Sequence, residues 1–463
     1  MKYKFKHTPK SVPLVKTRFR RIHTKLPVPE SLPLLHLMEE FEPSSMQGQA
    51  PLVWDKAEGF QVFDPFGNMW LDWSSGVLVA NIGHNDHDVV RAICEQVKEH
   101  SLFSYCFPSE ARIRLAQRLV EITPSGLDKA FILTTGSETI ECAIKLARTY
   151  GREKKKNKIN IVSFENGFHG RTLGAQMAGG FPQAKEWIGN LDPGFFQVPF
   201  PDGFRCTNTD FQSFEKSLAD QGVDPATVAG VMMESYQGGG ASFAPALYVQ
   251  ELKRWCEKHQ SLLILDEVQA GFGRTGKLFA FEHYSITPDI ICLGKGISGS
   301  LPVAAVLGPK DVMDLYGPGS MTSTHGGNPV CCAAALENID KLINGRIIEH
   351  GAKVGQLLEH GLREIQVKND EIIGCVHGKG MVFALHITGA GSRVPDGERA
   401  SSIQRRCFEA GLLLFAPVGL GGANIKICPP LTISREAVEE GLSVLNEAIM
   451  KDLEENPPST RRG

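Results

Sequence analysis

Short apolar runs alternate with longer stretches of helical periodicity through the middle of the chain. The runs lie at 130–133, 159–164, 228–233, 262–265 and 290–293. Apolar residues that recur every three or four positions predict helices at 137–150, 246–258 and 330–343. Runs without polar alternation are typical of parallel strands buried on both faces. The pattern therefore predicts a large α/β domain over residues 75–340, with a mostly parallel sheet flanked by helices.

The pattern changes after residue 340. Long amphipathic stretches surround two short strand-like runs, 380–386 and 424–428, which predicts a smaller α+β domain over residues 341–452. Residues 51–74 are expected to form the N-terminal part of this small domain. Residues 453–463 form a polar, proline-containing tail that is expected to be disordered.

The first 50 residues are strongly basic. Nine Lys or Arg lie between Lys2 and Lys25, and no acidic residue precedes Glu30. This bias predicts a basic N-terminal arm that lies on an acidic face of a partner subunit. A transit peptide is the alternative, although Pro9 and Pro13 interrupt the amphipathic helix that such a peptide needs.

The overall composition excludes several classes of function. The 463 residues include 49 basic and 52 acidic ones, so the net charge of −3 supplies no global field for nucleic acid or an anionic membrane. No apolar run approaches the roughly 18 residues of a membrane span. The 11 cysteines lack C-x-x-C spacing, which favours a reducing, cytoplasmic location and predicts no metal site. The expected ligand is a small molecule.

Two strand ends carry groups that are candidates for catalysis. Asp266 follows the run 262–265, and the run 290–293 leads into Gly294-Lys295-Gly296. Ligands bind outside the carboxyl ends of strands in open α/β sheets, so both side chains are expected at one edge. Taken alone, a lysine beside a carboxylate is usually only a salt bridge.

An anion cradle and an aromatic ring accompany this pair. Gly136 and Ser137 open the predicted helix after a polar turn, where free amides bind phosphate, although a simple capping box from Thr135 to Glu138 explains the same residues. Phe168 follows the run 159–164 and could stack on a heterocycle. Pyridoxal 5'-phosphate (PLP) needs a covalent anchor, an electronic partner and a phosphate site, and all three are present.

The segment 271–276 spells the dinucleotide-binding motif G-x-G-x-x-G. Five residues separate the preceding strand from the first glycine, and too few residues remain before Pro288 for the required helix. The dinucleotide interpretation is therefore rejected.

The most specific stretch, 265–276, followed by Pro288-Asp289-Ile290 and Gly294-Lys295-Gly296, resembles the class III (omega) aminotransferases of PLP fold type I. The resemblance runs from about residue 50 to 445. It implies that Lys295 carries PLP as a Schiff base and that Asp266 pairs with the pyridine nitrogen. The remaining cofactor-binding residues that it implies are Gly136, Ser137, Phe168, His169, Glu234, Gln269 and Thr324.

The resemblance also implies a homodimer with composite active sites, because Thr324 corresponds to a threonine that reaches the phosphate of the neighbouring subunit. Val77 and Leu78 match substrate-pocket walls, although they could equally be core residues. Lys426 stands where most members have an arginine that binds a carboxylate. A planar guanidinium grips a carboxylate through two hydrogen bonds, whereas an ammonium is a point charge. Lys426 is therefore expected either to contact the acidic end of the substrate or only to pair with Glu234.

Several reactions remain open on this reading. Transamination of a small, acidic primary amine with a keto-acid acceptor is the leading prediction. Elimination of ammonia or phosphate from an amino-alcohol phosphate or amino-phosphonate is the alternative that Lys426 suggests. Racemisation, aminomutation and a catalytically silent scaffold are the weaker alternatives.

Overall fold

The computed structural model describes residues 5 and 7–457, and these fall into two compact units. The first unit contains the described residues up to Asp86 and those from Glu349 onwards, and the second spans His87–Ile348. The sequence placed the large domain at 75–340, so both boundaries lie further along the chain than expected. The reason is that residues just after 75 bond within the first unit: the Leu431 amide donates to the Asn81 carbonyl (2.8 Å).

The first unit begins with a series of short strands. Its N-terminal elements are β1 (Val15–Lys16), β2 (Arg21–Ile22), α1 (Leu32–Phe41), β3 (Lys56–Glu58), β4 (Gln61–Phe63), β5 (Met69–Asp72) and α2 (Ser75–Leu78). The strands pair in the order β1-β2-β5-β4-β3. The single turn α2 is unusual because its four residues all have positive φ.

The second unit is a three-layer α/β structure. Its elements are α3 (His87–Glu99), α4 (Glu110–Glu121), β6 (Lys129–Leu133), α5 (Gly136–Lys154), β7 (Asn160–Phe164), α6 (Leu173–Ala178), β8 (Phe195–Val198), α7 (Gln212–Asp220), β9 (Val228–Glu234), α8 (Ala246–His259), β10 (Leu262–Asp266), β11 (Ile290–Leu293), β12 (Ala304–Gly308), α9 (Lys310–Met313) and α10 (Pro329–Asn344). Within the described residues its sheet has seven strands in the order β6-β12-β11-β10-β9-β7-β8. Six of these strands run in the same direction, and β12 runs in the opposite one.

The central strands of this sheet are buried on both faces. Every residue of β9, β10, β11 and β12 is buried. Helix α5 packs its apolar side on the sheet through Ile140, Ala143 and Ala147, none of which is exposed. The mostly parallel α/β fold predicted from the apolar runs is confirmed.

The first unit is completed by the C-terminal part of the chain. Its elements are α11 (Ile347–Lys368), β13 (Ile373–Lys379), β14 (Val382–Ile387), α12 (Gly397–Glu409), β15 (Leu412–Leu413), β16 (Asn424–Ile427) and α13 (Arg435–Glu455). Strands β13, β14 and β16 form an antiparallel sheet, while β15 adds to β5 in parallel. Helix α13 extends into the expected polar tail, of which residues 458–463 lie outside the described part.

The basic N-terminal segment packs on the rest of the first unit, and its expected contact with an acidic face of a partner subunit stays a prediction. Ile22 and Leu26 are buried in a core cluster with Trp70 and Phe408 of the same unit. Arg20 pairs with Glu440 of α13 (Nε to Oε1, 2.5 Å). The positive charges are thus neutralised in part by acids of the same unit, and apolar residues between them hold the segment in place. Within the described residues, no helix combines the length and apolar character needed to cross a membrane.

Candidate active site

Three neighbouring parallel strands bring the candidate catalytic groups to one edge of the seven-stranded sheet. In the β9–β10–β11 register, Asp266 lies opposite Glu234 on one side and Cys292 on the other. Strand β11 ends at Leu293, so Lys295 follows at the same edge. The sheet therefore brings Asp266 and Lys295 to one edge, together with Glu234, which the family resemblance also implied.

Two further segments reach this edge. Strand β7 is parallel to β9, so its continuation carries Phe168 and His169 to the same side. Strand β6 is antiparallel to β12, which is antiparallel to β11, so β6 also ends here and α5 begins here. The first turn of α5 is the predicted anion cradle.

Lys295 occupies a strained backbone position. Its φ is 44°, a left-handed value that costs a non-glycine residue roughly 1–3 kcal/mol. The turn is held by Asn338, whose side-chain amide donates to the carbonyls of Gly296 (2.9 Å) and Ile297 (3.0 Å). Burial lowers the pKa of Lys295, while the charges of Asp266 and Glu234 act in the opposite direction. A lowered pKa favours the neutral amine, which is the form that attacks a carbonyl.

Asp266 is buried and hydrogen-bonded through both carboxylate oxygens. Oδ1 accepts from the Val268 amide (3.0 Å), and Oδ2 lies 2.8 Å from His169 Nδ1. Burial acts to lower the pKa of His169, but the hydrogen bond and charge of Asp266 outweigh it, together with the charge of Glu234. The pKa of His169 is therefore raised. The sequence placed His169 among the cofactor residues without detecting this bond.

Glu234 anchors the loop that carries Phe168. Its Oε2 accepts from the Phe168 amide (3.0 Å), and its Oε1 accepts from the Gly238 amide (2.8 Å). Burial raises the pKa of Glu234. The Phe168 side chain is 46% exposed although its backbone is fixed, so the ring offers an open face.

The start of α5 combines a capping box with two further free backbone amides. Thr135 and Glu138 cap the helix reciprocally, so the capping box that the sequence offered as the simpler interpretation is confirmed. The amides of Gly136 and Ser137 in the first turn have no intrahelical acceptor and can bind an anion as well. The Phe168 loop approaches closely: a Cβ at Gly170 would lie 2.3 Å from Ser137 Oγ.

The segment after β10 is a compact turn without a helix. Gln269 is half-buried in it, and residues 271–276 form turns and bends, which agrees with the rejection of a dinucleotide site. Glu267, to which the sequence assigned no site role, accepts from the amides of Ala280 (2.9 Å) and Phe281 (2.8 Å). Burial raises the pKa of Glu267 to about 7. The bonds assign Glu267 a structural role in closing this turn.

The first unit holds the predicted substrate residues together. Ser75 Oγ, in the left-handed turn with Val77 and Leu78, donates to the Cys428 carbonyl (2.6 Å), two residues after Lys426. Val77 is 43% exposed with φ of 65°, whereas Leu78 is buried. Lys426 is buried in β16 and faces Ala384 of β14. Thr324 lies in the second unit, exposed in a bend before α10.

The donor set of the second unit fits PLP. One sheet edge carries an amine with a lowered pKa, a buried carboxylate, an aromatic ring with an open face and a helix N-terminus. Each of these groups matches one part of the cofactor. Lys295 would hold its carbonyl carbon, Asp266 its ring nitrogen and the first turn of α5 its phosphate. These features define a PLP enzyme of fold type I.

The comparisons with known proteins agree. The family model for class-III aminotransferases matches residues 44–449. The chain is 33% identical over 444 residues to a 4-aminobutyrate aminotransferase of Mycobacterium leprae, covering 93% of this chain and 98% of the relative. The chain belongs to the class III aminotransferase family, and its cofactor is PLP.

Two other similarities bear on the fold and the reaction. An amine transaminase from an uncultivated Pseudomonas species, solved with PLP bound, superimposes with a TM-score of 0.80 at 29% identity, covering 86% of this chain and 95% of that one. An alanine/serine racemase of Pyrococcus horikoshii is 32% identical over 467 residues, covering 97% of this chain and 96% of the relative.

The His169–Asp266 bond predicts a pH-dependent stability. The raised pKa of His169 lies above its unfolded value of about 6.5, so the charged pair stabilises the fold fully below that pH and loses its effect as pH rises through the folded pKa. His169→Asn keeps a donor without the charge. We expect it to destabilise the cofactor-free protein by about 1 kcal/mol at low pH and progressively less at higher pH.

Chemical denaturation between pH 5 and 9 measures this difference. His360→Asn, at a histidine whose side chain is 75% exposed, is the matched control and should show no such trend. A pH-independent gap between wild type and His169→Asn would show that the charge on His169 does not contribute.

Proposed function

We propose that the chain transfers an amino group from a small, acidic primary amine to a keto acid, with Lys295 as the residue that bonds to the cofactor. The observation that carries this proposal is the shared sheet edge of Lys295, Asp266 and His169. Membership of the aminotransferase family supports the reaction, and the 4-aminobutyrate aminotransferase among the relatives supports an acidic amine.

Each residue has a separate task in this proposal. PLP, when bound, supplies an electron sink for the carbon that bears the amino group. The neutral Lys295 amine would take the proton from that carbon and return it to the cofactor carbon that is bonded to the substrate nitrogen. The Asp266 carboxylate would keep a proton on the ring nitrogen, and His169 positions Asp266 through its hydrogen bond. Phe168 would cover one face of the ring, and Gln269 would contact its hydroxyl.

Lys426 is proposed to bind the acidic end of the substrate. It is a buried cation on β16, and the backbone of that region bonds to the turn that contains Val77 and Leu78, the proposed pocket walls. A buried ammonium gains from an anionic partner. An ammonium makes fewer directed bonds to a flat carboxylate than a guanidinium, so discrimination between acids should differ from that of arginine-containing members.

A homodimer with shared sites is the proposed assembly. Thr324 is exposed, and apolar residues lie on a neighbouring loop, where the Asn328 side-chain amide donates to the Leu102 carbonyl (2.8 Å). Leu102, Phe103 and Phe107 are 54%, 49% and 75% exposed. An exposed apolar group beside a residue expected to serve a neighbour's phosphate favours a buried subunit interface.

Racemisation is the second candidate function. The alanine/serine racemase of Pyrococcus horikoshii aligns with almost the whole chain at an identity similar to that of the aminotransferases. The same lysine can serve both reactions, because returning the proton to the original carbon without facial selectivity racemises the substrate. Among the relatives described here none is a lyase, so elimination has no comparable support.

Lys295→Ala is expected to lose covalent attachment of PLP and to reduce turnover by several orders of magnitude. Borohydride reduction of the holoenzyme followed by peptide mass spectrometry locates the modified lysine. Lys185→Met is the matched control, since burial lowers the pKa of Lys185 to about 8 and makes it a rival amine. Cofactor fixed to Lys185 in the wild type, or retained on Lys295→Ala, would disprove the assignment.

Mixed dimers test the shared site. In a hybrid of Lys295→Ala and Thr324→Ala subunits, one site keeps both its own lysine and the partner's threonine, so activity should exceed the mean of the two homodimers. Thr324→Ala alone should weaken PLP binding about 10- to 150-fold, the equivalent of one charged hydrogen bond. Hybrids made with Thr322→Ala, an exposed threonine nearby, serve as control. A fully active monomer would contradict the proposal.

Lys426→Met should lower kcat/KM for acidic amines about 10- to 150-fold and leave uncharged amines unchanged, because only the former lose a charged partner. Lys426→Arg should improve use of 2-oxoglutarate. Wild type and both variants are assayed with amino-carboxylates, amino-sulfonates and amino-phosphates.

The same panel separates the reactions. Keto-acid-dependent product formation supports transamination, loss of optical activity without an acceptor supports racemisation, and released ammonia or phosphate supports elimination. Unchanged kcat/KM values for acidic substrates in Lys426→Met would exclude the role proposed for Lys426. Covalent attachment of PLP to Lys295, observed in the same protein, would show that the cofactor chemistry is unaffected by that outcome.

A further inference from the structure

Three side chains of types that can bind a metal ion converge on the hairpin of β13 and β14 in the first unit. The side-chain ligand atoms of Cys375, His377 and His386 all lie within 4.8 Å of one another. His386 is buried, and the other two residues are half-buried. The sequence predicted no metal site, because the ligands follow neither C-x-x-C spacing nor a helical spacing.

A β-bulge produces this convergence. The β13–β14 register pairs Ile373 with Ile387 but Cys375 with His386, so one extra residue, Gly374, is inserted on β13. Cross-strand partners share a face of a sheet, and so do residues two apart on one strand. The bulge therefore places Cys375 and His377 on the face of His386. Without it, Cys375 would pair with Leu385 and point to the opposite face.

We propose that Cys375, His377 and His386 bind a zinc ion with a fourth position open to water or an anion. Thiolate and imidazole are the ligands that zinc prefers, and three protein ligands with one open position form a recognised tetrahedral arrangement. At zinc bond lengths, the ligand atoms of a tetrahedral site lie about 3.3–3.6 Å apart. Side-chain rotations that move the three ligand atoms by about 1 Å therefore close the site. The hairpin supplies two adjacent strands, which makes the scaffold rigid.

Neighbouring groups on this face agree with an open position. In the β14–β16 register His386 pairs with Asn424, and Ala384 pairs with Lys426, so both side chains of β16 share the face of the cluster. A zinc thiolate centre with two neutral histidines carries one net positive charge. Beside the Lys426 ammonium, an anion or water is the favoured fourth ligand rather than a further cationic or bulky side chain.

The simpler explanation of the two histidines is aromatic packing. Their ring centroids lie 4.9 Å apart with planes at 67°, an edge-on contact. Packing alone does not require the thiol on the same face, and it predicts that the histidines tolerate substitution without any effect on metal content. The two explanations therefore differ in a direct measurement.

The experiment measures zinc in the holoenzyme. The protein is stripped with a chelator under a non-thiol reductant, supplied with one equivalent of zinc, and passed through gel filtration. We expect about one retained zinc per chain, with X-ray absorption showing one sulfur at about 2.3 Å and two nitrogens at about 2.0–2.1 Å. Cys375→Ser, His377→Gln and His386→Gln should each weaken affinity at least about 100-fold.

Cys94→Ser and His360→Gln are matched controls at exposed positions and should bind zinc as the wild type does. Circular dichroism and retained PLP establish that the variants are folded. If they unfold, the absorption spectrum at the zinc edge of the wild type still decides the ligand set. Retention below about one zinc per two chains, a sulfur-free coordination shell, or equal binding by a folded triple variant would overturn the site.

Discussion

The parallel register of β9, β10 and β11 is the constraint on which the rest of the active site depends. It sets Asp266 level with Glu234 and delivers Lys295 to the same edge. A slip of one residue would turn Asp266 towards the opposite face of the sheet. The strands resist such a slip because all their residues are buried and apolar contacts on both faces would have to be remade.

The electrostatics of the site follow from that edge. Asp266, Glu234 and Glu267 are three buried carboxyl groups near one another, an arrangement that is costly unless each is hydrogen-bonded. The structure satisfies them separately: Asp266 through His169, Glu234 through loop amides, and Glu267 through the turn that follows β10. Of these three carboxyl groups, only Asp266 and Glu234 therefore act on the charge of Lys295. Glu267 holds the backbone of the turn that follows β10.

The features that could be predicted from sequence are those encoded locally. Apolar runs located β6, β7, β9, β10 and β11 to within one residue at each end, and the stretch around Asp266 and Lys295 indicated the family. The His169–Asp266 bond was not predictable, because it joins loops 97 positions apart whose approach depends on the tertiary structure. The bulge at Gly374 was equally hidden, since a register shift leaves no periodic signal. The charges of the N-terminal segment are conspicuous in the sequence, whereas Ile22 and Leu26, which hold the segment in the core of the first unit, are few.

Val268 links two parts of the cofactor site through size alone. A Cβ at Gly136 would lie 2.8 Å from a Val268 methyl group, and one at Gly294 would lie 3.2 Å from it. One branched side chain thus fills the space between the helix that opens the anion cradle and the strand end that carries the lysine. For enzyme engineering, this fixes the distance between the proposed phosphate site at the start of α5 and the proposed cofactor-bonding amine of Lys295.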